Sequence, residues 1–356
     1  MRPLRPEAPR RIMVRAANWV GDAVMTLPAL AALHAACPSA QIEVVARPWA
    51  EAVYAAQPGV SRVLAYDKDG RHAGAGGLLR LARELRERRY DWAVLWQNAF
   101  EAALIAWLAR IPLRLGYARD GRGLLLTHPA RLTPGIRRVH QSSYYLYILR
   151  QAGLLPADPP ARGVRPELHL RQEDRDWAGR FLAAKGLAGA RLLGLAPGAA
   201  FGPAKMWPAE RFAAAARELD GRFGAVLLFG GQGEAKACAE VAAGLDGIAA
   251  LNLAGATELG QALALLERTD LFLTNDSGLM HAAAALGRPT VAVFGSTDPI
   301  ATGPLGPRVA LVRGQASCAP CLKPQCAEGD LRCFTSVEPG QVAEAARRLL
   351  AQGGGD

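Results

Sequence analysis

Short apolar runs alternate with longer amphipathic stretches in the first part of the chain. Apolar runs of about four to eight residues are typical of buried strands, whereas apolar residues spaced three and four apart are typical of helices. This pattern predicts strands at 12–15, 42–46, 63–65 and 92–96, and helices at 22–36, 78–89 and 99–109. Strands that alternate with helices indicate a parallel sheet covered on both faces.

The alternation starts again after a segment rich in turn residues, 151–173, which is typical of a linker between domains. Beyond it the pattern predicts strands at 192–196, 225–229, 271–274 and 290–294, helices at 208–219, 234–243, 278–286 and 339–351, and a further apolar stretch at 259–267. A length of 356 residues also suits two domains. We therefore predict an α/β protein with two Rossmann-like, doubly wound domains, 1–165 and 166–356, which face a central cleft.

The composition predicts a folded protein that stays in the cytoplasm. Hydrophobic residues make up 51% of the chain and charged residues 21%, which excludes both a disordered chain and an integral membrane protein. No stretch reaches the roughly 18 apolar residues of a membrane span, and residues 1–11 lack the apolar core of a signal peptide.

The charge predicts an anionic partner. There are 42 Lys and Arg residues against 32 Asp and Glu, a net charge of +10. This excess suits a nucleic acid, a phosphorylated small molecule or an anionic membrane face. We do not expect nucleic acid, because the chain has no continuous basic helix and no helix-turn-helix or RNA-binding motif.

Candidate chemistry lies where predicted strands run into predicted helices. After the first strand come Asn18, Gly21 and Asp22. Asp22 either caps the helix or acts as a general base, with Gly21 allowing a substrate to approach the backbone. No Gly-x-Gly-x-x-Gly or Walker motif occurs at this turn, so a dinucleotide site or a P-loop is not supported.

The second junction follows the strand at 192–196 and is a loop of small residues that contains Gly198 and one cation, Lys205. A lone lysine is usually just solvated, but a glycine-bearing loop before a helix can also hold phosphate oxygens without a metal. After the next strand, Glu234 either accepts hydrogen bonds from ribose hydroxyls or simply benefits from the dipole at the start of its helix.

The third junction is the most informative. The backbone N–H groups at the start of the helix at 278–286 form a cradle for an anion. The polar residues here also have purely structural interpretations, as helix caps or, for the histidine, as a core residue. The residues concerned are Asn275, Asp276, Ser277, Gly278 and His281.

Four cysteines lie close together near the end of the chain, at spacings of two, four and six residues. Four thiolates are a suitable ligand set for zinc or an iron–sulfur cluster. Reduced thiols are the default for a cytosolic chain, so a structural metal is the alternative interpretation. The four are Cys318, Cys321, Cys326 and Cys333.

Taken together, three segments make the chain resemble the bacterial lipopolysaccharide heptosyltransferases of glycosyltransferase family 9, especially the heptosyltransferase II type. The segments are 18–22, 197–208 and 275–281, the last followed by Gly287-Arg288-Pro289. They are widely separated and occur in the order of the family, and similar strand–helix alternation surrounds them. Two positions depart from the family pattern, Met206 before Trp-Pro and Ala200 in place of a common Glu, which affects the exact acceptor rather than the reaction class.

The resemblance implies a GT-B fold and an inverting transfer of heptose from ADP-heptose without a metal or other cofactor. It implies that Asp22 is the catalytic base and that Lys205 contacts the donor diphosphate. Donor-binding residues would be Gly198, Lys205, Glu234, Asn275, Asp276, Ser277, Gly278 and His281, and acceptor-binding residues Asn18, Gly21, Arg119 and Arg122. The acceptor would be the lipopolysaccharide inner core, Kdo-lipid A with heptose, at the cytoplasmic face of the inner membrane.

Two alternatives stay open from the sequence. One is a family 9 transferase that uses another core acceptor or sugar. The other is a catalytically silent protein that binds a nucleotide sugar, against which the joint presence of Asp22 and Lys205 argues.

Overall fold

The computed structural model describes residues 9–156, 164–219 and 221–352. These residues form two compact units, which divide between His169 and Leu170. The sequence-based boundary was placed at 165/166, and the linker residues 157–163 lie outside the described residues. Within the part of the chain that is described, no helix is long and apolar enough to cross a bilayer.

The first unit is a six-stranded, wholly parallel sheet with the strand order β3-β2-β1-β4-β5-β6. Its strands are β1 (Arg11–Arg15), β2 (Gln41–Ala46), β3 (Val60–Ala65), β4 (Trp92–Leu95), β5 (Leu113–Tyr117) and β6 (His128–Ala130). Its helices are α1 (Val20–Ala36), α2 (Glu51–Tyr54), α3 (Gly74–Glu87), α4 (Phe100–Leu108) and α5 (Gln141–Gln151), with 3₁₀ turns at Pro48–Ala50, Arg122–Leu125 and Ile136–Arg138.

The second unit repeats this architecture, with the strand order β12-β11-β10-β7-β8-β9. Its strands are β7 (Leu192–Ala196), β8 (Ala225–Leu228), β9 (Ala250–Asn252), β10 (Leu271–Asn275), β11 (Thr290–Phe294) and β12 (Val309–Arg313). Its helices are α6 (Gln172–Ala184), α7 (Ala209–Arg217), α8 (Ala235–Ala243), α9 (Leu259–Glu267), α10 (Gly278–Ala285), α11 (Pro299–Thr302), α12 (Arg332–Thr335) and α13 (Pro339–Ala351), with 3₁₀ turns at Pro203–Lys205 and Gln232–Glu234.

The central strands are apolar because helices cover both of their faces. Every residue of β4, β7, β10 and β11 is buried, so their sequences are continuous apolar runs rather than alternating ones. Around these strands the helices bury their apolar sides, as α7 does with Phe212 and Ala216. Burying this surface is the main favourable contribution to the stability of each unit.

The strand order places the candidate loops. In each unit the order reverses at one adjacent pair of strands, β1 with β4 and β7 with β10. In open parallel sheets, ligands bind outside the carboxyl ends of the strands at such a reversal. The loops that follow β1, β7 and β10 are the three junctions that the sequence singled out.

The predicted alternation is confirmed in both units, and with it the α/β, doubly wound class. The hydrophobic pattern of the sequence did not predict several of the strands and helices. Strands β6 and β9 have only three residues and β12 is half-exposed, so none gives a clear apolar run. Helix α6 begins at Gln172, inside the predicted linker, because its exposed polar face hides the apolar periodicity.

Candidate active site

Asp22 lies in the first turn of α1, which begins at Val20, two residues earlier than predicted. The first N–H groups of a helix have no partner inside the helix, and the helix dipole favours negative charge there. The hydroxyl of Tyr145, on α5, donates a hydrogen bond to Asp22 Oδ1 at 3.1 Å. Asp22 as a whole residue is partly buried.

The hydroxyl of Tyr145 stays protonated and so remains a hydrogen-bond donor to this carboxylate. Its side chain is buried, and burial together with the negative charge of Asp22 raises the pKa of the phenol well above its usual value. The hydroxyl therefore keeps its proton throughout the physiological pH range. Helix α5 packs against α1 and so fixes the position of this hydroxyl beside Asp22.

The other two residues predicted at this junction are Asn18, in the loop before the helix, and Gly21, inside the helix. Asn18 Oδ1 accepts a hydrogen bond of 2.9 Å from Arg15 Nη2, and its carbonyl oxygen accepts one of 2.8 Å from the indole of Trp49. Gly21 is the second residue of α1. Both are partly buried, and Asn18 is already engaged by its neighbours through two oxygens.

The structure corrects the expected role of Arg122. Its side chain is fully buried, and its guanidinium donates to the carbonyl oxygens of Tyr117 and Gln97 and to Asn98 Oδ1. Arg122 therefore ties loops together and does not present its charge to an acceptor. Sequence reasoning missed this because an arginine after a turn is usually solvated. Arg119 is exposed and pairs with the neighbouring Asp120 at 3.2 Å.

In the second unit, the structure brings Lys205 and Asp276 together. Lys205 Nζ lies 2.8 Å from Asp276 Oδ2, and the two side chains are 16% and 5% exposed. The ammonium group also lies over the ring of Phe201, 5.1 Å from its centroid. Thr302 donates a longer hydrogen bond, 3.4 Å, to the same carboxylate oxygen. A cation is thus held in place where β10 ends.

Asn275, at the end of β10, forms hydrogen bonds to both ends of the loop that carries Lys205. Its side-chain amide donates to the carbonyl oxygen of Pro197 at 2.6 Å and accepts from the backbone N–H of Trp207 at 3.0 Å. The residue is fully buried. It was predicted to contact the donor, but in this structure both ends of its amide are used to hold the two ends of the loop.

Helix α10 directs its N-terminus to the same edge of the sheet. Ser277 caps it, because its Oγ accepts from the backbone N–H of Met280 at 3.3 Å. Gly278 is the first helical residue and is partly exposed. His281 is buried, at 4% exposure, in the second turn. The carboxylate of Asp276, the ammonium of Lys205 and these first helical residues therefore share one end of β10.

Glu234 lies against Gly198. A Cβ atom added to Gly198 would be only 2.5 Å from Glu234 Oε1, so the approach of this carboxylate requires a glycine. Glu234 Oε2 accepts a hydrogen bond of 2.7 Å from the backbone N–H of Gly231. The loops that follow β7 and β8 are thereby in contact, and a contact of Glu234 with a ribose stays a prediction.

The cysteine-bearing segment packs on the lysine loop. Gly202 has a φ of +143° and would place a Cβ 2.4 Å from the carbonyl oxygen of Pro324. The same carbonyl oxygen accepts a hydrogen bond of 3.1 Å from the N–H of Ala204. The segment that carries the cysteines therefore supports the loop that carries Lys205.

All four cysteines of this segment line one cavity of about 60 Å³. Backbone N–H groups, that of Leu331 first, lower the pKa of Cys326, whereas burial raises the pKa of Cys333. Among the residues that the structure describes, no three His, Cys, Asp or Glu side chains are grouped closely enough to hold a metal ion. A structural metal at the four thiols stays the alternative to reduced thiols, and the metal content of the purified protein tests it.

Comparison with known proteins decides the family. The model of glycosyltransferase family 9 (heptosyltransferase) matches residues 78–332, more than half of the chain. The chain belongs to glycosyltransferase family 9. Its relatives include lipopolysaccharide heptosyltransferase 2 of Salmonella typhimurium, which is 33% identical over 350 residues, covering 97% of this chain and 99% of that protein.

Two solved structures extend the match to the fold. Escherichia coli ADP-heptose lps heptosyltransferase II is 30% identical, with a TM-score of 0.80 and coverage of 96% of this chain and 99% of that one. A family 9 glycosyltransferase from Veillonella parvula is 27% identical, with a TM-score of 0.87 and coverage of 98% and 99%. The chain is a glycosyltransferase with the GT-B fold, as the sequence predicted.

Proposed function

We propose that this glycosyltransferase transfers L-glycero-D-manno-heptose from ADP-heptose to the inner core of lipopolysaccharide, with inversion at the anomeric carbon and without a metal. The similarity to heptosyltransferase 2 proteins over nearly the whole chain supports the sugar and the acceptor class. The single structural observation that carries the proposal is the Lys205–Asp276 pair beside the N-terminus of α10.

On the donor side, the proposal requires stabilisation of the departing ADP. When the bond between the anomeric carbon and the diphosphate oxygen breaks, that oxygen takes the electron pair and negative charge grows on the diphosphate. Lys205 Nζ and the first N–H groups of α10 are fixed donors for this charge. The pairing with Asp276 holds the ammonium in position before the donor arrives.

On the acceptor side, Asp22 takes the proton from the attacking hydroxyl. The hydroxyl oxygen forms the new bond to the anomeric carbon from the face opposite the diphosphate, which inverts the configuration. A carboxylate that is positioned by a hydrogen bond, as Asp22 is by the one from Tyr145, can accept this proton. Asp22 would therefore act as the general base.

We also propose that the enzyme works at the cytoplasmic face of the inner membrane, where its lipid-linked acceptor would be found. The net charge of +10 supports this location, since basic proteins are attracted to anionic lipid surfaces. Binding to vesicles with and without anionic lipid, at rising salt, measures that attraction.

The deciding experiment combines the purified protein with ADP-heptose and a heptose-deficient inner core. We expect one heptose to be added to the core, as measured by mass spectrometry, and one ADP to be released. Addition only to a differently truncated core would favour the alternative acceptor. Binding of ADP-heptose without transfer to any core would favour a silent nucleotide-sugar-binding protein.

Replacing Tyr145 by Phe tests whether the hydrogen bond from Tyr145 stabilises the charged form of Asp22. A hydrogen bond to a carboxylate favours its charged form, so its loss raises the pKa of Asp22. Because the base must be ionised, the acidic limb of the pH profile of kcat/KM should move to higher pH. Tyr147→Phe, on the same helix, is the matched control. A lower kcat with an unmoved acidic limb would assign Tyr145 a packing role only.

A further inference from the structure

Two neighbouring helices of the first unit form an open groove on its surface, outside the residues predicted as a site. Helices α3 and α4 pack against each other, and the groove beside them has a volume of about 540 Å³. Its walls include Leu79 from α3 and Trp107 from α4, together with arginines from α3 and from the chain that follows α4. We call it the α3–α4 groove.

The α3–α4 groove carries positive charge only. None of the described residues that line it is acidic, and four are arginines, Arg83, Arg86, Arg110 and Arg114. Arg114 is already engaged, because its Nε donates a hydrogen bond of 2.6 Å to the carbonyl oxygen of Leu125. Like charges close together are unfavourable unless an anion lies between them. The groove therefore favours a partner with several negative charges.

Three of these arginines have no partner within the described part of the chain. Arg83, Arg86 and Arg110 are exposed, and no hydrogen bond or ion pair to another described residue engages their guanidinium groups. By contrast Arg88, which directly follows α3, lies 2.9 Å from a carboxylate oxygen of Glu43. The guanidinium groups in the groove are thus available to an external anion.

The apolar side chains of the groove are also exposed. Trp107 is 50% exposed and Leu79 45%, although large apolar side chains are mostly buried in a folded domain. Tryptophan is enriched where a bilayer meets water, because its ring is apolar and its indole N–H is polar. An exposed apolar patch bordered by charged residues is typical of an interaction surface.

The spacing along α3 puts both kinds of side chain on one face. Leu79, Arg83 and Arg86 follow each other at intervals of four and three residues, which aligns them on the helix. Another face of α3, with Leu81 and Leu85, is buried in the core of the unit. An arginine can lay its aliphatic stem along apolar surface while its guanidinium reaches outward. This face therefore suits the boundary between lipid phosphates and acyl chains.

A lipid bilayer fits the α3–α4 groove better than a second copy of the chain does. A symmetric dimer through this groove would bring two sets of unpaired arginines together, which is unfavourable. A bilayer with anionic lipid offers an array of phosphates for the guanidinium groups. It also offers an apolar layer, in which Trp107 and Leu79 would be removed from water.

We propose that the α3–α4 groove docks the enzyme on an anionic lipid bilayer, with Arg83, Arg86 and Arg110 at lipid phosphates and Trp107 and Leu79 in the apolar layer beneath them. That a bilayer is the partner rests on the proposed function, which gives the enzyme a lipid-linked acceptor. The net charge of +10 alone would attract the bilayer to many parts of the surface, whereas this proposal assigns the contact to one face. Docking is measured on bilayers that contain neither donor nor acceptor.

Sedimentation of the full chain with lipid vesicles is the first test. Vesicles of phosphatidylethanolamine and phosphatidylglycerol are anionic, whereas vesicles of phosphatidylcholine have no net charge. We expect binding to the anionic vesicles to be about tenfold or more tighter, and to weaken as salt rises. Equal binding to both kinds of vesicle, or binding to neither, would overturn the proposal.

A pair of charge variants shows whether the groove is the docking surface. Arg83→Gln with Arg86→Gln should weaken binding to anionic vesicles about 25-fold, since each basic residue at such a surface contributes about fivefold. The control, Arg62→Gln with Arg222→Gln, removes two exposed arginines outside the groove. All four side chains are exposed, so both variants should keep the melting temperature of the wild type. Equal losses of binding in the two variants would mean general charge attraction and would refute the assigned surface.

Trp107→Ser tests the apolar contact. We expect about tenfold weaker binding to anionic vesicles, because the ring no longer leaves water on docking. The control Leu311→Ser removes an exposed apolar side chain of β12, in the second unit, and should leave binding unchanged. Unchanged binding of Trp107→Ser would contradict insertion into the bilayer. A wild-type dimer in solution that Trp107→Ser dissociates would assign the groove to self-association and overturn the proposal.

The transfer assay separates this proposal from the proposed function. If heptose transfer occurs, Arg83→Gln with Arg86→Gln should raise the KM for an acceptor held in anionic vesicles. With a soluble, deacylated acceptor the same variant should keep the kcat and KM of the wild type. Equal losses with both acceptors would mean an effect on catalysis itself and would overturn the docking role while the function stands. If no transfer occurs, the function fails and vesicle sedimentation still decides whether the groove docks on a bilayer.

Discussion

We expect Asp22→Asn to lower kcat for sugar transfer by about 10²- to 10⁴-fold, the usual contribution of a general base. The amide has nearly the shape of the carboxylate and can still accept a hydrogen bond from Tyr145, so the fold should not change. What the variant loses is a group that can take the proton from the acceptor hydroxyl. Steady-state rates of ADP release measure the effect.

The affinity for ADP is the companion measurement for Asp22→Asn. Lys205 and α10 are the proposed diphosphate contacts, and both belong to the second unit, so ADP binding should stay within about twofold of wild type. Asp176→Asn, an exposed change on α6, is the matched control for loss of one negative charge. Turnover near the wild-type rate in Asp22→Asn would remove this residue from the chemistry.

Lys205→Gln should lower kcat/KM for the donor by about 10²- to 10³-fold, as loss of a preorganised donor to a developing anion does. It should also weaken ADP binding, which titration of ADP measures. The variant has a second consequence, because Asp276 is only 5% exposed and would lose its counter-ion. An unpaired buried charge is costly, so the melting temperature should fall as well.

A double variant separates these two effects. Lys205→Gln with Asp276→Asn removes both charges, so it should recover most of the melting temperature of the wild type but not the rate. Recovery of the rate together with stability would mean that Lys205 serves only to neutralise Asp276. The proposed contact to the diphosphate would then be wrong.

The sequence predicted the residues whose roles depend on local signals. Asp22 and Gly278 stand where an apolar run changes to helical periodicity, a pattern that can be recognised within about ten residues. The structure places both in the first turns of their helices. Lys205 follows a strand in a glycine-bearing loop, and the structure brings this lysine to the end of β10.

Residues that act through distant partners could not be predicted in this way. Tyr145 is 123 positions from Asp22, and it is an ordinary helical residue in the sequence. Arg122 gave a misleading signal, because the sequence around it looks like an exposed turn and only packing shows that it is enclosed.

By itself, the sequence determined the alternation of strands and helices, the α/β class and the three loops that carry polar chemistry, since periodicity and helix-start preferences act over a few neighbouring residues. The tertiary structure alone decided which of these loops meet. Pairing of β7 with β10 brings Pro197 to Asn275 across 78 positions of the chain. Such pairing depends on the burial of whole sheet faces, a property of the assembled unit and not of any one segment.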